Sequence, residues 1–184
     1  AAIFRREFSS YFASPIGYIY LTVFYFFSGM FFNSVVTSNS TDVTPVFSSL
    51  SLILLILIPL LTMRLLSEEK KQKTDQLLLT SPVSLSGLVY GKFLAAFCIY
   101  AMGIAITFVY AVVLAGFASP QWMVVVGNVL GALLLGFAMI SIGLFISSLT
   151  ENQMIAAVGS FAAMLFIQLM DAFTYLIPVR WISN

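Results

Sequence analysis

Residues 48–84 read SSLSLILLILIPLLTMRLLSEEKKQKTDQLLLTSPVS, and the two halves of that stretch call for different solvents. From Ser48 to about Leu66 Arg64 is the single charge, and as a helix the run is long enough to cross about 30 Å of hydrocarbon. From Arg64 to Asp75 seven residues are ionisable. At about 2.5 to 3.5 kcal/mol each near a helix centre, these do not enter a bilayer. The stretch therefore predicts a membrane helix that leaves the membrane at Arg64 and projects a charged segment into water.

The rest of the chain repeats the apolar half. Its 184 residues are 61% hydrophobic and 8% charged, against roughly 25% charged in soluble domains, which makes this an all-α integral membrane protein. Further spans run from Ile16 to about Val36, Leu88 to about Phe117, Trp122 to about Leu149, and Met154 to about Met170, where Asp171 interrupts the run. Five spans result, in a single transmembrane domain. Residues 171–184 are left as an outer stub, too short to cross again. A net charge of +1 gives no global field for nucleic acid, and Cys98, alone and inside an apolar run, forms no intrachain disulfide.

Basic residues set the orientation. Arg5, Arg6, Arg64, Lys70, Lys71, Lys73 and Lys92 fall on one side and Arg180 on the other, so the amino terminus and the charged loop are expected in the cytoplasm of a cell (inner or plasma) membrane. Residues 37–45 and 118–121 then face outward and residues 150–152 inward.

Residues 1–15 pair a basic start with an apolar run, as a secretory signal does. The run of about 21 residues from Ile16 exceeds a signal core and no small-residue cleavage site follows, so it is read as a retained anchor. Ile3, Phe4, Phe8, Tyr11 and Phe12 recur at helical spacing, with Arg5, Arg6 and Glu7 largely on the other side. This predicts an interfacial helix that ends before Pro15, because the residue preceding proline avoids the helical region.

Within the charged loop, Glu68, Glu69, Lys70, Lys71 and Lys73 are good helix formers, Ser67 can cap the start and Pro82 stops the turn. Thr74, Leu77, Leu78 and Ser81 share a face. Leu77, Leu78 and Leu79 either dock a partner or tuck against the membrane interface, and composition does not separate the two readings.

Chemistry is sparse. With no His, one Cys and no cluster at metal-ligand spacing, the chain has no components for metal or nucleophilic catalysis and binds no cofactor of its own. Gly87, Gly91 and Lys92 imitate a phosphate loop but fail it: three residues separate the glycines, and Phe93 stands where a Ser or Thr must reach Mg²⁺. These glycines are read as helix-packing positions and Lys92 as snorkelling to the headgroups. Gly127 with Gly131, Gly143 with Ser147, Ala156 with Ser160, and Gly159 with Ala163 are small-xxx-small pairs, for packing within the bundle or against a second subunit. Pro59 is expected to kink the second span. The polar residues Asn128, Glu151, Asn152, Gln168 and Asp171 sit near span ends, so no charged central pathway is visible.

Three segments in order carry a family resemblance: REFSSYFASPIGYIYLTVFYFFSGMFF (6–32), IPLLTMRLLSEEKKQKTDQLLLTSPVSLSGLVYGKFLAA (58–96) and SIGLFISSLTENQMIAA (141–157). Together they resemble the permease subunit of ABC-2 type transporters, nearest to gliding-motility-associated permeases and those of nitrous-oxide-reductase clusters. The resemblance implies a type V exporter-like helical bundle of six spans, five of them visible here. It makes residues 1–15 an elbow helix, with Phe4, Arg5, Arg6, Phe8 and Phe12 as its marker residues. Spans one and two occupy 16–66, a cytoplasmic coupling segment 67–87, and spans three to five 88–170. It also implies that a coupling helix docks a separate ATPase subunit, which carries ATP and Mg²⁺, through Ser67, Glu68, Glu69, Lys70, Lys71, Lys73, Thr74, Leu77, Leu78 and Leu79. A second permease subunit would complete the transporter. Because the sixth span and an initiator Met are missing, the sequence is read as a fragment. The alternative is a non-transporting membrane anchor or scaffold that recruits a cytoplasmic partner through its charged loop.

Overall fold

A computed structural model of the chain describes residues 2–38, 42–71, 85–116 and 121–176. Helix α1 (Ala2–Ala13) is separated from α2 (Pro15–Thr37) by a single residue. Ser14 is extended at φ −99° and ψ 156°, the conformation proline imposes on its predecessor, and Pro15 opens α2 where a missing N–H is no loss. There follow α3 (Thr44–Thr62), α4 (Ser67–Lys71), α5 (Leu85–Ala115), α6 (Trp122–Leu149) and α7 (Gln153–Leu176). Helices α2, α3, α5, α6 and α7 are each long and apolar enough to cross a membrane.

One boundary differs from the sequence expectation. The fifth span was expected to stop near Met170, but α7 runs through Asp171 to Leu176. A carboxylate opposes burial in lipid, which ends the hydropathic run, yet it does little to a helical backbone near its end.

Lipid tails are as apolar as leucine, so burial of apolar surface drives helix association weakly in a membrane; close packing and hydrogen bonds decide it. Helix α3 is the pole around which this packing is built, with half of its membrane window buried inside the protein against 17–39% for the other spans. It packs on α2, α6 and α7, while α5 packs on α1, α2 and α6. Leu50, Leu54, Ile58 and Leu61 of α3 share one core with Tyr20 and Phe24 of α2, Ile99 and Tyr100 of α5, and Ile140 of α6. Two glycines admit the large rings: a Cβ on Gly136 would lie 2.1 Å from the Tyr100 ring, and one on Gly103 would lie 3.3 Å from Phe24. Phe26, Met123, Leu134 and Phe166 point outward, as residues facing lipid do.

Some hydroxyls inside the bundle are satisfied locally or across helices, while those of Tyr20 and Ser160 are buried without a hydrogen-bond partner among the described residues. Ser28 of α2 donates to the Tyr110 hydroxyl of α5 at 2.8 Å, and Thr107 donates to the Ile104 carbonyl. At the end of the bundle that holds Asp42 and Gln121, Asn128 of α6 donates to Thr44 of α3 at 3.1 Å. At the opposite, charged end, α1, the end of α3, α4, the start of α5 and the end of α6 converge.

Candidate functional site

The convergence is built on the way α3 ends. Pro59 lies three residues before the helix terminus and brings no N–H to the ladder. Thr62 turns its hydroxyl back onto the Ile58 carbonyl at 3.0 Å, and the chain then makes a tight turn in which the Leu65 N–H reaches the Thr62 carbonyl. Such a break leaves carbonyls at the end of α3 and N–H groups at the start of α4 without helical partners. Neighbouring elements supply them. The Tyr11 hydroxyl of α1 donates to the Leu61 carbonyl at 2.9 Å. Ser147 of α6 accepts from the Leu66 and Ser67 N–H groups, each at 3.1 Å, and donates to the Met63 carbonyl at 3.2 Å. One side chain from a helix 80 residues away thus caps both sides of the turn. Gly143, one helical turn before Ser147, brings α6 this close, since a Cβ there would lie 2.3 Å from the Thr62 hydroxyl oxygen.

Charge ties the other side of the junction. Lys92, which enters from α5, is 2% exposed. Its Nζ lies 2.9 Å from Glu69 Oε1 of α4 and 3.4 Å from Glu7 Oε2 of α1. Arg6, whose side chain is 70% exposed, approaches the same two carboxylates from the solvent side at 3.8 and 3.9 Å. Two cations thus face two carboxylates, and a buried ammonium is tolerated because it is paired. Beside this group Arg64 grips Glu68 with two nitrogens, Nε to Oε2 at 2.7 Å and Nη2 to Oε1 at 3.0 Å. Lys70 donates to the Ser148 carbonyl of α6. Burial, with the Glu7 carboxylate adding to it and Arg64 partly opposing it, raises the Tyr11 phenol well above its usual range, so it stays protonated and able to donate.

The residues expected to form a docking face divide. Ser67 is buried, Glu68 pairs with Arg64, Glu69 with Lys92, and Lys70 turns to α6, while Lys71 is exposed. Lys73, Thr74, Leu77, Leu78 and Leu79 lie outside the described residues. Two expectations are corrected. Lys92 does not snorkel to the headgroups; two carboxylates from other elements hold it inside the protein. Ser67 does not cap α4 with its own hydroxyl, which donates back to the Met63 carbonyl, and Ser147 takes that role.

In the elbow, Phe4 and Phe8 pack against the core, and their rings with Phe12 and Tyr18 form a ladder with centroids 5.3–5.8 Å apart. Arg5 and Arg6 face solvent. Gly91 admits the elbow onto α5, since a Cβ there would lie 2.8 Å from Ile3. The small-residue pairs behave differently from one another. Gly143, Ala156 and Ser160 are buried within the chain, whereas a Cβ on Gly127 or Gly131 would meet nothing within 4 Å, and these two glycines line a groove of about 190 Å³ with Phe47, Leu50 and Asn128. Among the described residues, no three His, Cys, Asp or Glu side chains gather as metal ligands.

A bundle of five helices long and apolar enough to cross a membrane, with a charged joint at one end, defines a multi-pass membrane protein. The chain belongs to the ABC-2 family of transporter proteins, whose model matches residues 35–179. It is a membrane transport component and not itself the ATPase; permeases of this family work with an ATP-hydrolysing subunit. No curated protein and no solved structure matches the chain. The match begins at Val35, so α1 and most of α2 are understood from geometry rather than from the family.

Proposed function

We propose that the chain is the membrane subunit of an ATP-driven exporter, with its amino terminus and charged joint in the cytoplasm of a cell membrane. A separate ATPase subunit, holding ATP and Mg²⁺, docks on the segment from Ser67 to Thr80. Closure of two such ATPases presses on that segment and rocks the spans between inward and outward access, with a second permease subunit completing the pathway. The observation that carries this reading is the fastening of α4. Tied to α6 by Ser147 and Lys70 and to α1 and α5 by Glu69, it passes a push to several helices at once. The inward roles of Glu69 and Lys70 leave the exposed Lys71 for the partner, and Leu77 and Leu78, outside the described residues, are the apolar anchors of this proposal.

Hydroxyls are the buried polar groups among the described residues in the middle of the spans, Ser28, Thr107 and Ser160, which favours a hydrophobic or large substrate over an ion. The test is retention of the ATPase on the detergent-solubilised permease. Truncating Leu77 and Leu78 together to Ala removes roughly 2 to 4 kcal/mol of binding, as loss of buried anchors does. Neutralising Lys71 costs under about 1 kcal/mol, with a marked salt dependence. Wild-type retention by the leucine double variant, with insertion intact, would assign those leucines to the membrane interface and favour the scaffold alternative.

A further inference from the structure

The described residues of α4, Ser67–Lys71, make little more than one helical turn, which on its own fixes neither helix nor direction. Its position is set by what it touches, and those contacts point two ways. Ser147 and Lys70 fasten it to α6. Among the described residues, its ion pair with α5 is Glu69 to Lys92, and through Lys92 it reaches Glu7 of the elbow.

We propose that Lys92 is the positioning residue for the cytoplasmic segment that starts at Ser67, holding Glu69 and thereby α4 against the elbow in a latch built to open. That this segment receives the ATPase rests on the function proposed above; the latch itself does not.

The case for a latch lies in how the charges are shared. A buried ammonium with one carboxylate partner cannot release it without being left unpaired in a low-dielectric setting, at a severe cost. Lys92 has two partners on two different elements, at 2.9 and 3.4 Å. If α4 moves away with Glu69, Lys92 keeps Glu7. Arg6 is 70% exposed and near both carboxylates, so its long side chain can follow Glu69 or close on Glu7. Each charge therefore has an opposite partner in the engaged and in the released arrangement. That redundancy lets the joint open without leaving a charge unpaired. The elbow is the fixed half: Phe4 and Phe8 pack into the core, Tyr11 is fastened to Leu61, and Ile3 sits on Gly91. The moving half is α4, joined to α3 by a turn and followed by the docking segment.

The experiment measures the distance between spin labels on Ser9→Cys of the elbow and Lys71→Cys of α4, both solvent-exposed positions, in a Cys98→Ala background of the full chain in lipid nanodiscs. The unaltered latch gives one narrow distribution. Lys92→Met, which keeps the length of the side chain and removes its charge, broadens the distribution or adds a second, longer population. Lys92→Arg restores the narrow one. Should Lys92→Met fail to insert, Glu69→Gln decides the matter, because Lys92 then retains Glu7 and the fold is spared while the latch is cut. A second label pair at Val112 and Met123, exposed positions at the far end of α5 and α6, reports on the bundle and stays unchanged in every variant. A wild-type Ser9–Lys71 distribution in Glu69→Gln overturns the proposal, as does a shift of both label pairs together, which marks Lys92 and Glu69 as general packing residues. Broadening with undiminished ATPase retention leaves the latch standing and overturns the docking reading instead.

Discussion

Placing a methyl group at Gly143 tests the packing of the joint directly. The added carbon would lie 2.3 Å from Thr62 Oγ1, 2.8 Å from its Cβ and 3.0 Å from its Cγ2, where ordinary contact begins at 3.4 Å. Rotating Thr62 moves the oxygen but not the Cβ, and its hydroxyl is already engaged with Ile58 in a fully buried position. Helices α3 and α6 must therefore separate by several tenths of an ångström. Overpacking of this kind costs about 1 to 3 kcal/mol. The same separation stretches the 3.1 Å bonds of Ser147 to the Leu66 and Ser67 N–H groups, and each group left unpaired adds about 1 kcal/mol or more. The better helix propensity of alanine returns up to about 1 kcal/mol. Gly143→Ala is thus expected to destabilise by about 2 to 4 kcal/mol. Gly127→Ala and Gly131→Ala meet open space and should be neutral or stabilising by up to about 1 kcal/mol. Unfolding of each variant in mixed micelles titrated with a denaturing detergent, followed by tryptophan fluorescence, gives the comparison. Equal midpoints for Gly143→Ala and the wild type would refute the packing argument, as would a loss at Gly127 as large as that at Gly143.

Other changes at the joint separate its components. Ser147→Ala leaves the Leu66 and Ser67 N–H groups short of an acceptor, while the Met63 carbonyl keeps the Ser67 hydroxyl, and is expected to cost about 2 to 4 kcal/mol in the same assay, with Ser147→Thr recovering part of it. Tyr11→Phe removes one buried bond to the Leu61 carbonyl, for a loss of about 1 to 2 kcal/mol and greater protease sensitivity of the elbow. Glu7→Gln and Glu69→Gln each leave Lys92 a carboxylate and should be mild alone. Combined, they strand the lysine, and a loss of about 3 to 5 kcal/mol, well beyond the sum of the two, is expected; simple additivity would contradict the shared-charge account.

The spans were legible because hydropathy over about 20 residues reports burial in lipid without needing a partner, and α6 begins and ends at Trp122 and Leu149 as the sequence indicates. The break at Pro15 was legible for a local reason as well, the restriction on the preceding residue. What was not legible depends on contacts between distant residues. Nothing in EEKK tells which of its four charges turns inward. Lys92 near the start of an apolar run reads as a headgroup anchor until Glu7 and Glu69 arrive from elements 85 and 23 positions away in the chain. Ser147 is one of several serines near the end of α6, and only the meeting of α6 with the turn after α3 makes it a cap. The glycine pairs show the same limit: spacing nominates Gly127–Gly131 and Gly143–Ser147 alike, while the structure packs one pair and leaves the other facing an open groove.

Whether an ATPase acts on the joint after the second span is decided by labelling Lys71→Cys, in the Cys98→Ala background, with a membrane-impermeant maleimide in sealed vesicles of both orientations. Labelling is expected in inside-out vesicles alone, with protection when the ATPase subunit is bound. Labelling from the outer face, or labelling from the cytoplasmic face that bound ATPase leaves unchanged, would contradict such action.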